Sequence, residues 1–427
     1  MPIIKIGRTL LAIAIMAIPA ISGAQYSPNT TSAVQHLRAD PRISTVLQAI
    51  KDGYYPSADL VAAVKRCVNA ATLIPGTPAR LQADACLRSM VGGLDPHSAY
   101  LSPQDLKFLT GAPGEGNVGL EFRKGDLGAE ITSAIEGSPG AQAGIGSGTL
   151  LVAIDSQPTA PMSLSEIASV LRGPVGSIAS LEVIQPNSPD VLRVEVRREL
   201  VRQSSVMVKM IDEQLGYVRI SRFSTSLAEE LTDALQSLLT LPLQPTRGIV
   251  LDLRDCAGGL LHGAIALAAA FLPDETVVMT MSSRPEGERT YRANLSDASS
   301  NNFDPRPIFE SKTLRTAALQ IPLVILVNHG TASGAEAAVA ALQESGRAYV
   351  MGQPTAGSSS IQSLLPLKNH DAIKLTTAVM RSPSGRTWAD QGIRPDFPIS
   401  QELMARPGEK IAEDSWVKLA VAHFAKH

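Results

Sequence analysis

Four apolar runs in the second half of the chain constrain the fold more than any other feature. They are "LGYVRI", "RGIVLDL", "IPLVILVN" and "RAYVMG", which begin at residues 215, 247, 321 and 347. Continuous apolar runs of this length are typical of strands that are buried on both faces of a sheet. Helical patterns such as "SLAEELTDALQSLL" and "GAEAAVAALQES" alternate with them. Residues 205–400 are therefore predicted to form an α/β layer.

Residues 114–200 have a different character, because short β-branched runs alternate there with glycine and proline. The runs are "GAEITSAI", "TLLVAID", "ASLEVIQ" and "VLRVEVRREL". One helical stretch, "SLSEIASVLRG", lies among them. This pattern predicts a compact, mostly β module.

Residues 25–110 are predicted to be a helical region, since "DLVAAVKRCVNAATLI" and "PARLQADACLRSMVGGL" repeat apolar residues every three or four positions. Residues 25–50 are weakly patterned, and we expect them to form a flexible start. A last helix is expected within residues 401–427, where "EDSWVKLAVAHFAKH" is amphipathic. The sequence as a whole predicts a multi-domain α/β protein.

The first 24 residues have the composition of a secretory signal peptide. Lys5 and Arg8 precede an apolar run that ends near Ile21, and small residues follow up to Ala24. The alternative is an uncleaved membrane anchor, but the run is shorter than the roughly 20 residues that span a bilayer. Cleavage is therefore expected after Ala24, and the mature chain is expected to be exported.

Composition narrows the classes of function. Hydrophobic residues make up 44% of the chain, charged residues 18%, and the net charge is −2. This balance is globular and gives no indication of a nucleic-acid partner. No histidine, cysteine or carboxylate pattern has metal-ligand spacing, so no metal and no cofactor are expected.

Three cysteines are present, at positions 67, 86 and 256. In an oxidising compartment Cys67 and Cys86 can pair across a helical hairpin, which leaves Cys256 over. Buried free cysteines are the alternative, because they are common in protein cores.

Two strand-to-helix turns are candidates for chemistry. Gly258 lies in a Gly-Gly turn whose N–H groups can bind developing negative charge, although a plain tight turn has the same sequence. Ser333 precedes the helix that begins at Gly334, where a nucleophile and an ordinary helix cap are both reasonable interpretations. A nucleophile needs both a base and an oxyanion site, and the two turns supply the second if they converge.

In their order along the chain, several segments resemble the carboxyl-terminal processing peptidases, which are also called tail-specific proteases. The segments are "LDPHSAYLSPQD", "GSPGAQAGIGSGTLLVAIDSQP", "VLRGPVGS", "GIVLDLRDCAGGLL", "VNHGTASGAEAAVAAL" and "SPSGRTWADQGIRPD". They cover roughly residues 90–397. The resemblance implies a PDZ domain ahead of a serine-peptidase core of the ClpP/crotonase type. It also implies that Ser333 is the nucleophile and that Gly258 and Gly334 hold the oxyanion.

The family's base is a lysine twenty-five positions after the serine, and a glutamine follows four positions later. In this chain the lysine position is Ser358, within "PTAGSSSIQ", and the glutamine position is Gln362. A buried lysine of lowered pKa can accept a serine proton, whereas a serine hydroxyl is too weak a base. A replacement base would be His329 or a water held by Ser358. Lys374 lies on a predicted strand and is expected to face solvent.

The PDZ-like module resembles its family more closely. The resemblance implies that a peptide C-terminus adds as a strand beside "NVGLEF", with N–H groups near Val118, Gly119 and Leu120 holding its carboxylate. Arg172 either assists as a charged contact or is an ordinary surface arginine. The expected partners are protein or peptide C-termini, and an adaptor or activating protein and self-association remain open.

Two interpretations of different class follow. The first is an exported serine peptidase that binds C-terminal tails and hydrolyses peptide bonds through Ser333. The second is an inactive pseudopeptidase that binds tails or proteins, because the catalytic lysine is absent at Ser358.

Overall fold

The structure is a computed structural model. It describes residues 36–37, 39–74, 77–110, 115–125, 128–135, 138–162, 164–186, 188, 190–201, 204–240, 245–367, 370–400 and 411–425. The expected signal peptide lies outside these residues. The chain forms two compact units. The first unit comprises residues up to 100, 204–368 and 373–427, and the second comprises residues 101–203 and 369–372.

The first unit begins with three helices, α1 (Pro41–Gly53), α2 (Leu60–Thr72) and α3 (Ala79–Gly92). The expectation of a flexible start up to residue 50 is wrong where α1 lies. Asp40 caps this helix by accepting from the Arg42 N–H, and Ile43 and Ile50 are buried. The apolar spacing of α1 is helical, and packing against α2 and α3 stabilises it.

Cys67 of α2 and Cys86 of α3 are joined by a disulfide bond, whereas Cys256 is a buried free cysteine. Both bonded cysteines lie inside the core that the three helices share with Ile373 and Leu375. The helical region therefore forms one compact unit with the α/β part of the chain.

The strands of the first unit are β1 (Ala99–Leu101), β10 (Val206–Met210), β11 (Leu215–Ile220), β12 (Gly248–Asp252), β13 (Val277–Ser283), β14 (Gly287–Arg292), β15 (Leu323–Val327), β16 (Tyr349–Gly352), β17 (Ser360–Pro366), β18 (Ala372–Arg381) and β19 (Phe397–Pro398). One sheet has the order β10-β11-β12-β15-β16-β19, and all its pairs are parallel except β10 with β11. The other has the order β1-β18-β13-β14, and β17 pairs with β18.

The remaining helices of this unit are α7 (Leu227–Leu239), α8 (Leu261–Phe271), α9 (Leu295–Ala298), α10 (Arg306–Glu310), α11 (Lys312–Gln320), α12 (Gly334–Glu344) and α13 (Ser415–Phe424). Helices α7, α8 and α12 pack on one face of the parallel sheet, and α13 packs on the other. Alternate residues of β12 divide between the two cores: Ile249 and Leu251 face one, and Val250 faces the other. The predicted strands with two buried faces are confirmed.

The second unit is mostly β, as predicted. Its strands are β2 (Glu115–Gly116), β3 (Leu120–Gly125), β4 (Gly128–Ala134), β5 (Leu150–Ile154), β6 (Gln157–Pro158), β7 (Gly173–Pro174), β8 (Ile178–Ile184) and β9 (Val191–Arg197), and its helices are α4 (Pro103–Thr110), α5 (Pro139–Gln142) and α6 (Leu164–Leu171). The main sheet has the order β3-β4-β5-β8-β9. Strand β3 therefore lies at an edge.

None of the helices in the described part of the chain has both the length and the apolar character that crossing a bilayer requires.

Candidate active site

The turn after β12 is shaped by its two glycines. Gly258 has φ +81° and Gly259 has φ +140°, a region that side chains disfavour. A Cβ on Gly259 would lie 2.4 Å from the Phe223 carbonyl oxygen. A Cβ on Gly258 would lie 2.7 Å from the Ala332 oxygen and 2.8 Å from the Gly334 nitrogen. The Gly258 backbone thus packs directly against the segment that carries Ser333.

Ser333 lies between β15 and α12, immediately before the first helical residue, Gly334. Its backbone has φ +54° and ψ −122°, which costs a non-glycine residue about 1–3 kcal/mol. The side chain is half-buried, and Gly334 is buried. This conformation holds the serine at the junction of the strand, the helix and the neighbouring Gly258 turn.

Hydrogen bonds between the two turns fix their convergence. The Asn328 side chain accepts from the Asp255 N–H at 2.8 Å and donates to Asp255 Oδ1 at 2.8 Å. The Ala332 N–H donates to the Cys256 carbonyl oxygen at 2.9 Å. The Thr331 hydroxyl donates to the Leu253 carbonyl oxygen at 2.8 Å. The structure therefore brings together the two glycine-lined helix starts that the sequence marks separately.

Glu336, a fully buried residue of α12, joins the Ser333 turn to the segment that contains Ser358. Its Oε2 accepts from the N–H of Ser333 at 2.9 Å and from the N–H of Ser358 at 2.8 Å. Its Oε1 accepts from the Gly357 N–H at 2.8 Å and from the Thr355 hydroxyl. One carboxylate therefore fixes the backbone of Ser333 relative to the backbone of Ser358.

Burial raises the pKa of the Glu336 carboxyl above its ordinary value, and the four hydrogen bonds oppose this effect. Each oxygen already accepts two donors, so the carboxylate has no vacant position for the Ser333 hydroxyl proton. Glu336 accordingly positions the segments and is a poor candidate for the base.

The residues at the family's lysine and glutamine positions lie on one segment. Ser358 is half-buried in the loop before β17, and its N–H is held by Glu336. Gln362 lies on β17, where its amide donates to the Ser360 hydroxyl at 2.8 Å. The backbone N–H groups of Ser358 and Ser333 are thus linked through Glu336. The Gln362 amide, in contrast, bonds to a residue of its own strand.

The other candidate bases differ in exposure. His329 is exposed in the turn after β15. Lys374 of β18 is half-buried, so the expectation that it faces solvent is only partly met. Neither residue forms an ion pair within the described part of the chain.

Cys256 stands beside the candidate oxyanion donor. Burial raises the pKa of the Cys256 thiol to about 11, and interaction with the Gly258 N–H acts in the opposite direction. Cysteine sulfur is a weak hydrogen-bond acceptor, so an oxyanion would be a stronger partner for this N–H.

A buried ion-pair network supports the start of the glycine turn. Asp252 at the end of β12 accepts from Arg254 Nη2 at 2.6 Å and from the Tyr217 hydroxyl at 2.6 Å. The same Arg254 Nη2 donates to Asp414 Oδ2 at 2.7 Å, and Asp414 caps α13. Burial alone would raise the pKa of Asp252, but Arg254 and Arg219 hold it below its ordinary value.

In the second unit, the residues expected to bind a peptide carboxylate lie at the start of β3: Val118 and Gly119 precede the strand, and Leu120 is its first residue. Val118 and Leu120 are buried, and Gly119 has φ +74°. The Gly119 N–H donates to Asn117 Oδ1 at 3.0 Å, so this donor is not vacant. Arg172 is half-buried between α6 and β7.

Sequence reasoning missed Glu336 and the Asp252–Arg254–Asp414 network. A signal for Glu336 is present, because Ser333 with a glutamate three positions later is the pattern of a capping box. No local signal pairs Arg254 with Asp414, since these residues lie 160 positions apart. No cluster of histidine, cysteine and carboxylate side chains suited to a metal occurs in the described part of the chain.

The parallel sheet, the Ser333 turn and the mostly β unit define a serine-peptidase scaffold with a PDZ-type module. Comparison with family models agrees: Peptidase family S41 matches residues 214–399, and a PDZ domain matches residues 130–185. The chain belongs to the carboxyl-terminal-processing protease family.

Two bacterial relatives support this assignment. A carboxyl-terminal-processing protease of a Picosynechococcus species is 33% identical over 317 residues, which cover 72% of this chain and 70% of the relative. The carboxy-terminal-processing protease of Bartonella bacilliformis is 28% identical over 320 residues, which cover 74% and 69%.

A third relative, from a Synechocystis species, is 33% identical over 280 residues, which cover 65% of this chain and 60% of the relative. Among solved structures, one described as an S41 protease from Bacteroides fragilis matches with a TM-score of 0.59 and 15% identity. That match covers 90% of this chain and 97% of the other, and it supports the fold alone.

Proposed function

We propose that this chain is an exported serine peptidase of the carboxyl-terminal processing type, with Ser333 as its nucleophile. The observation that carries the proposal is the strained Ser333 backbone packed against Gly258. A plain helix cap needs no positive φ, because the residue before a helix ordinarily adopts an extended backbone. Strain of this kind is typical of residues held in place for function.

In the proposed reaction, the Ser333 hydroxyl oxygen attacks the carbonyl carbon of the substrate peptide bond. The N–H groups of Gly258 and Gly334 stabilise the negative charge that develops on the carbonyl oxygen. Collapse of this intermediate breaks the C–N bond, the amine leaves with a proton, and an acyl-enzyme ester remains. Water then hydrolyses the ester and regenerates the serine.

The proton of the Ser333 hydroxyl needs an acceptor that Ser358 itself cannot supply. Two acceptors remain open: the exposed imidazole of His329, and a water held by the Ser358 hydroxyl. Gln362 would orient that acceptor. Of the two, an imidazole is a stronger base than a water molecule.

The proposed substrates are protein or peptide C-termini that bind the PDZ-type unit. Strand β3 lies at the edge of its sheet, where an incoming peptide can add as a further strand. The donors for the peptide carboxylate would be the N–H groups of Val118, Gly119 and Leu120. Arg172, which directly follows α6, would add a charged contact. A peptide would have to displace Asn117 from the Gly119 N–H.

The second candidate function is tail or protein binding without hydrolysis. Ser358 favours this function, because it stands at the position where the family has the lysine that accepts the serine proton.

One experiment separates the two functions. The mature protein is incubated with an unstructured polypeptide that ends in apolar residues, alongside the variants Ser333→Ala and Ser358→Lys. If the chain is a peptidase, the unmodified protein cleaves the substrate and Ser333→Ala does not. Cleavage is followed by mass spectrometry of the released peptides.

The control is Ser358→Lys combined with Ser333→Ala, which must remain inactive. If Ser358→Lys cleaves the substrate and the unmodified protein does not, the natural chain is a pseudopeptidase. Its inactivity is then explained by the missing lysine. Tail binding, measured by fluorescence anisotropy of a labelled peptide, is expected with every one of these variants.

Export is part of the proposal. The disulfide between Cys67 and Cys86 supports an oxidising compartment, in agreement with the composition of residues 1–24.

A further inference from the structure

Strand β9 (Val191–Arg197) is the second edge of the main sheet in the mostly β unit, and β3 is the first. It pairs with β8 along its whole length without a shift in register, and no described strand lies beyond it. Neither proline nor lysine interrupts it, although both are common on edge strands that avoid pairing with another chain. The side of β9 away from β8, here called the open edge, is therefore a regular strand edge.

Backbone hydrogen bonds just after β9 show which of its residues face the open edge. The Arg198 N–H donates to the Ser177 oxygen at 2.7 Å, on the side of β8. The next residue, Glu199, exchanges hydrogen bonds with Asn117 on the other side of the strand. Because successive residues alternate in direction, the odd-numbered residues of β9 direct their N–H and C=O groups to the open edge.

The odd-numbered residues also carry exposed side chains on the outer face of the sheet. They are Val191, Arg193, Glu195 and Arg197. The even-numbered residues face the core side, where Val196 is buried and Leu192 is 45% exposed. The open edge thus combines outward backbone groups with charges of both signs and with an exposed apolar side chain.

The order of these residues is self-complementary. When two copies of β9 lie antiparallel about a two-fold axis at Val194, Arg193 of each copy is opposite Glu195 of the other. Unlike charges directly opposite each other stabilise a pair of strands. On the core side, the same register places Leu192 opposite Val196 and Val194 opposite its own copy, so apolar residues meet there.

The charges disfavour the neighbouring registers. An axis at Arg193 places this residue opposite its own copy. An axis at Glu195 does the same for the carboxylate and also brings Arg193 opposite Arg197. Like charges in these positions destabilise the pairing. An axis nearer to either end of β9 leaves fewer residues paired, so charge and length both select the axis at Val194.

Both charged groups are available for a partner. Glu195 forms no ion pair or side-chain hydrogen bond with another residue in the described ranges. Arg193 donates to the Ser180 hydroxyl at 2.7 Å through Nε, which leaves its terminal nitrogens for a carboxylate. A guanidinium can bind a carboxylate through those nitrogens.

We propose that β9 is a self-association surface, at which two copies of this chain pair antiparallel about Val194 and join their sheets. The partner is a second copy because the charge pattern complements itself. Strand β3 is the other edge of each sheet, so the pairing leaves both proposed tail-binding edges open. The proposal does not depend on whether the chain hydrolyses peptides.

The contact is small, so the dimer is expected to be weak. Each copy contributes 7 residues. They extend about 23 Å and form about eight backbone hydrogen bonds across the axis. A standard interface involves roughly 20–30 residues a side. We therefore expect a Kd on the order of 10–100 µM.

Sedimentation velocity of the mature protein tests the proposal, at concentrations from about 1 to about 500 µM, which bracket this Kd. The unmodified protein is expected to pass from monomer to dimer over this range. Arg193→Glu and Glu195→Arg are each expected to weaken dimerisation at least tenfold, because each change places like charges opposite each other twice in the interface.

An equimolar mixture of these two variants tests the register. In a mixed dimer, the acidic pair of one variant faces the basic pair of the other. The mixture is therefore expected to dimerise like the unmodified protein, and so is the double variant that carries both changes. Arg197→Glu is the matched control, since this residue has the same strand and face but lies opposite Val191, and it is not expected to weaken the dimer.

Four outcomes would overturn the proposal. They are a monomer at every concentration, single variants that dimerise like the unmodified protein, a mixture that stays monomeric, and equal weakening by Arg197→Glu.

Discussion

At the scale of single residues, the candidate site depends on backbone conformations that few side chains tolerate. Ser333 has a positive φ although it has a side chain, and Gly258 has one in the facing turn. The buried Glu336 binds the N–H groups of Ser333 and Ser358. A strained backbone and a buried carboxylate thus occur at the same place. This combination is typical of functional sites whose geometry is held fixed by the surrounding structure.

Gly258→Ala tests the close approach of the two turns. We expect it to lower the free energy of unfolding by about 3 kcal/mol, because the new Cβ overlaps backbone atoms of Ala332 and Gly334 and adds positive-φ strain. The measurement is urea denaturation followed by tryptophan fluorescence.

Gly346→Ala is the matched control for this change. Gly346 also has a positive φ, +69°, but a Cβ there meets nothing within 4 Å. Its expected cost is about 1 kcal/mol, from strain alone. Equal losses in the two variants would show that the turns do not approach as the structure has them.

At the scale of elements, α13 is attached to the strand that leads into the Gly258 turn. Arg254 lies between Asp252 of β12 and Asp414, the residue that caps α13. The Arg254 guanidinium also lies over the Trp416 ring, 5.3 Å from its centre. The last helix therefore supports the far side of the sheet and the start of the candidate active-site turn together.

Asp252→Asn is expected to lower the free energy of unfolding by about 3 kcal/mol at pH 7, because it leaves buried Arg254 with one partner fewer. The pKa of Asp252 is held below its ordinary value. Its contribution is thus complete above about pH 4 and is lost as pH falls through the lower folded-state pKa. Denaturation at several pH values should show the difference from wild type shrinking on acidification.

Asp304→Asn is the control for the pH series. Asp304 and Arg306 make the same pattern of hydrogen bonds, two residues apart, but both side chains are exposed. An exposed pair contributes little, so this variant should denature like wild type at neutral pH. A difference for Asp252→Asn that does not change with pH would contradict the assigned role of its charge.

At the scale of the whole molecule, the chain divides into two units in an unexpected way. The helical region before residue 100 belongs to the same compact unit as the α/β part, although the mostly β unit separates them in sequence. The disulfide closes the hairpin of α2 and α3 inside that unit. The disulfide is therefore expected to stabilise the unit that carries Ser333.

Replacing both Cys67 and Cys86 by serine is expected to lower the free energy of unfolding by about 3 kcal/mol, since a crosslink across 19 positions restricts the unfolded chain. Dithiothreitol should destabilise wild type by a similar amount and leave the double variant unaffected. Thiol titration of denatured protein should find one thiol before reduction and three after it. Three thiols before reduction would contradict the bond.

Much of the fold could be predicted from the sequence. The apolar runs that form β12 and β15 are long enough for buried strands, and the Gly258 and Ser333 turns follow them directly. Helix α1 was missed, although Asp40, Pro41 and the spacing of Ile43 and Ile50 are ordinary helix signals. These features could be recognised because each arises from residues close together in the chain.

The strands, the glycine turns, the position of Ser333 and the serine at the family's lysine position can all be read from short segments of the chain. The contact of the Gly258 turn with Ser333, the link from Ser333 to Ser358 through Glu336, and the pairing of Arg254 with Asp414 appear only in the folded protein. The difference arises from distance along the chain. Periodicity and turn conformation are local, whereas these contacts depend on the order of strands in the sheet and on which buried polar groups find partners there.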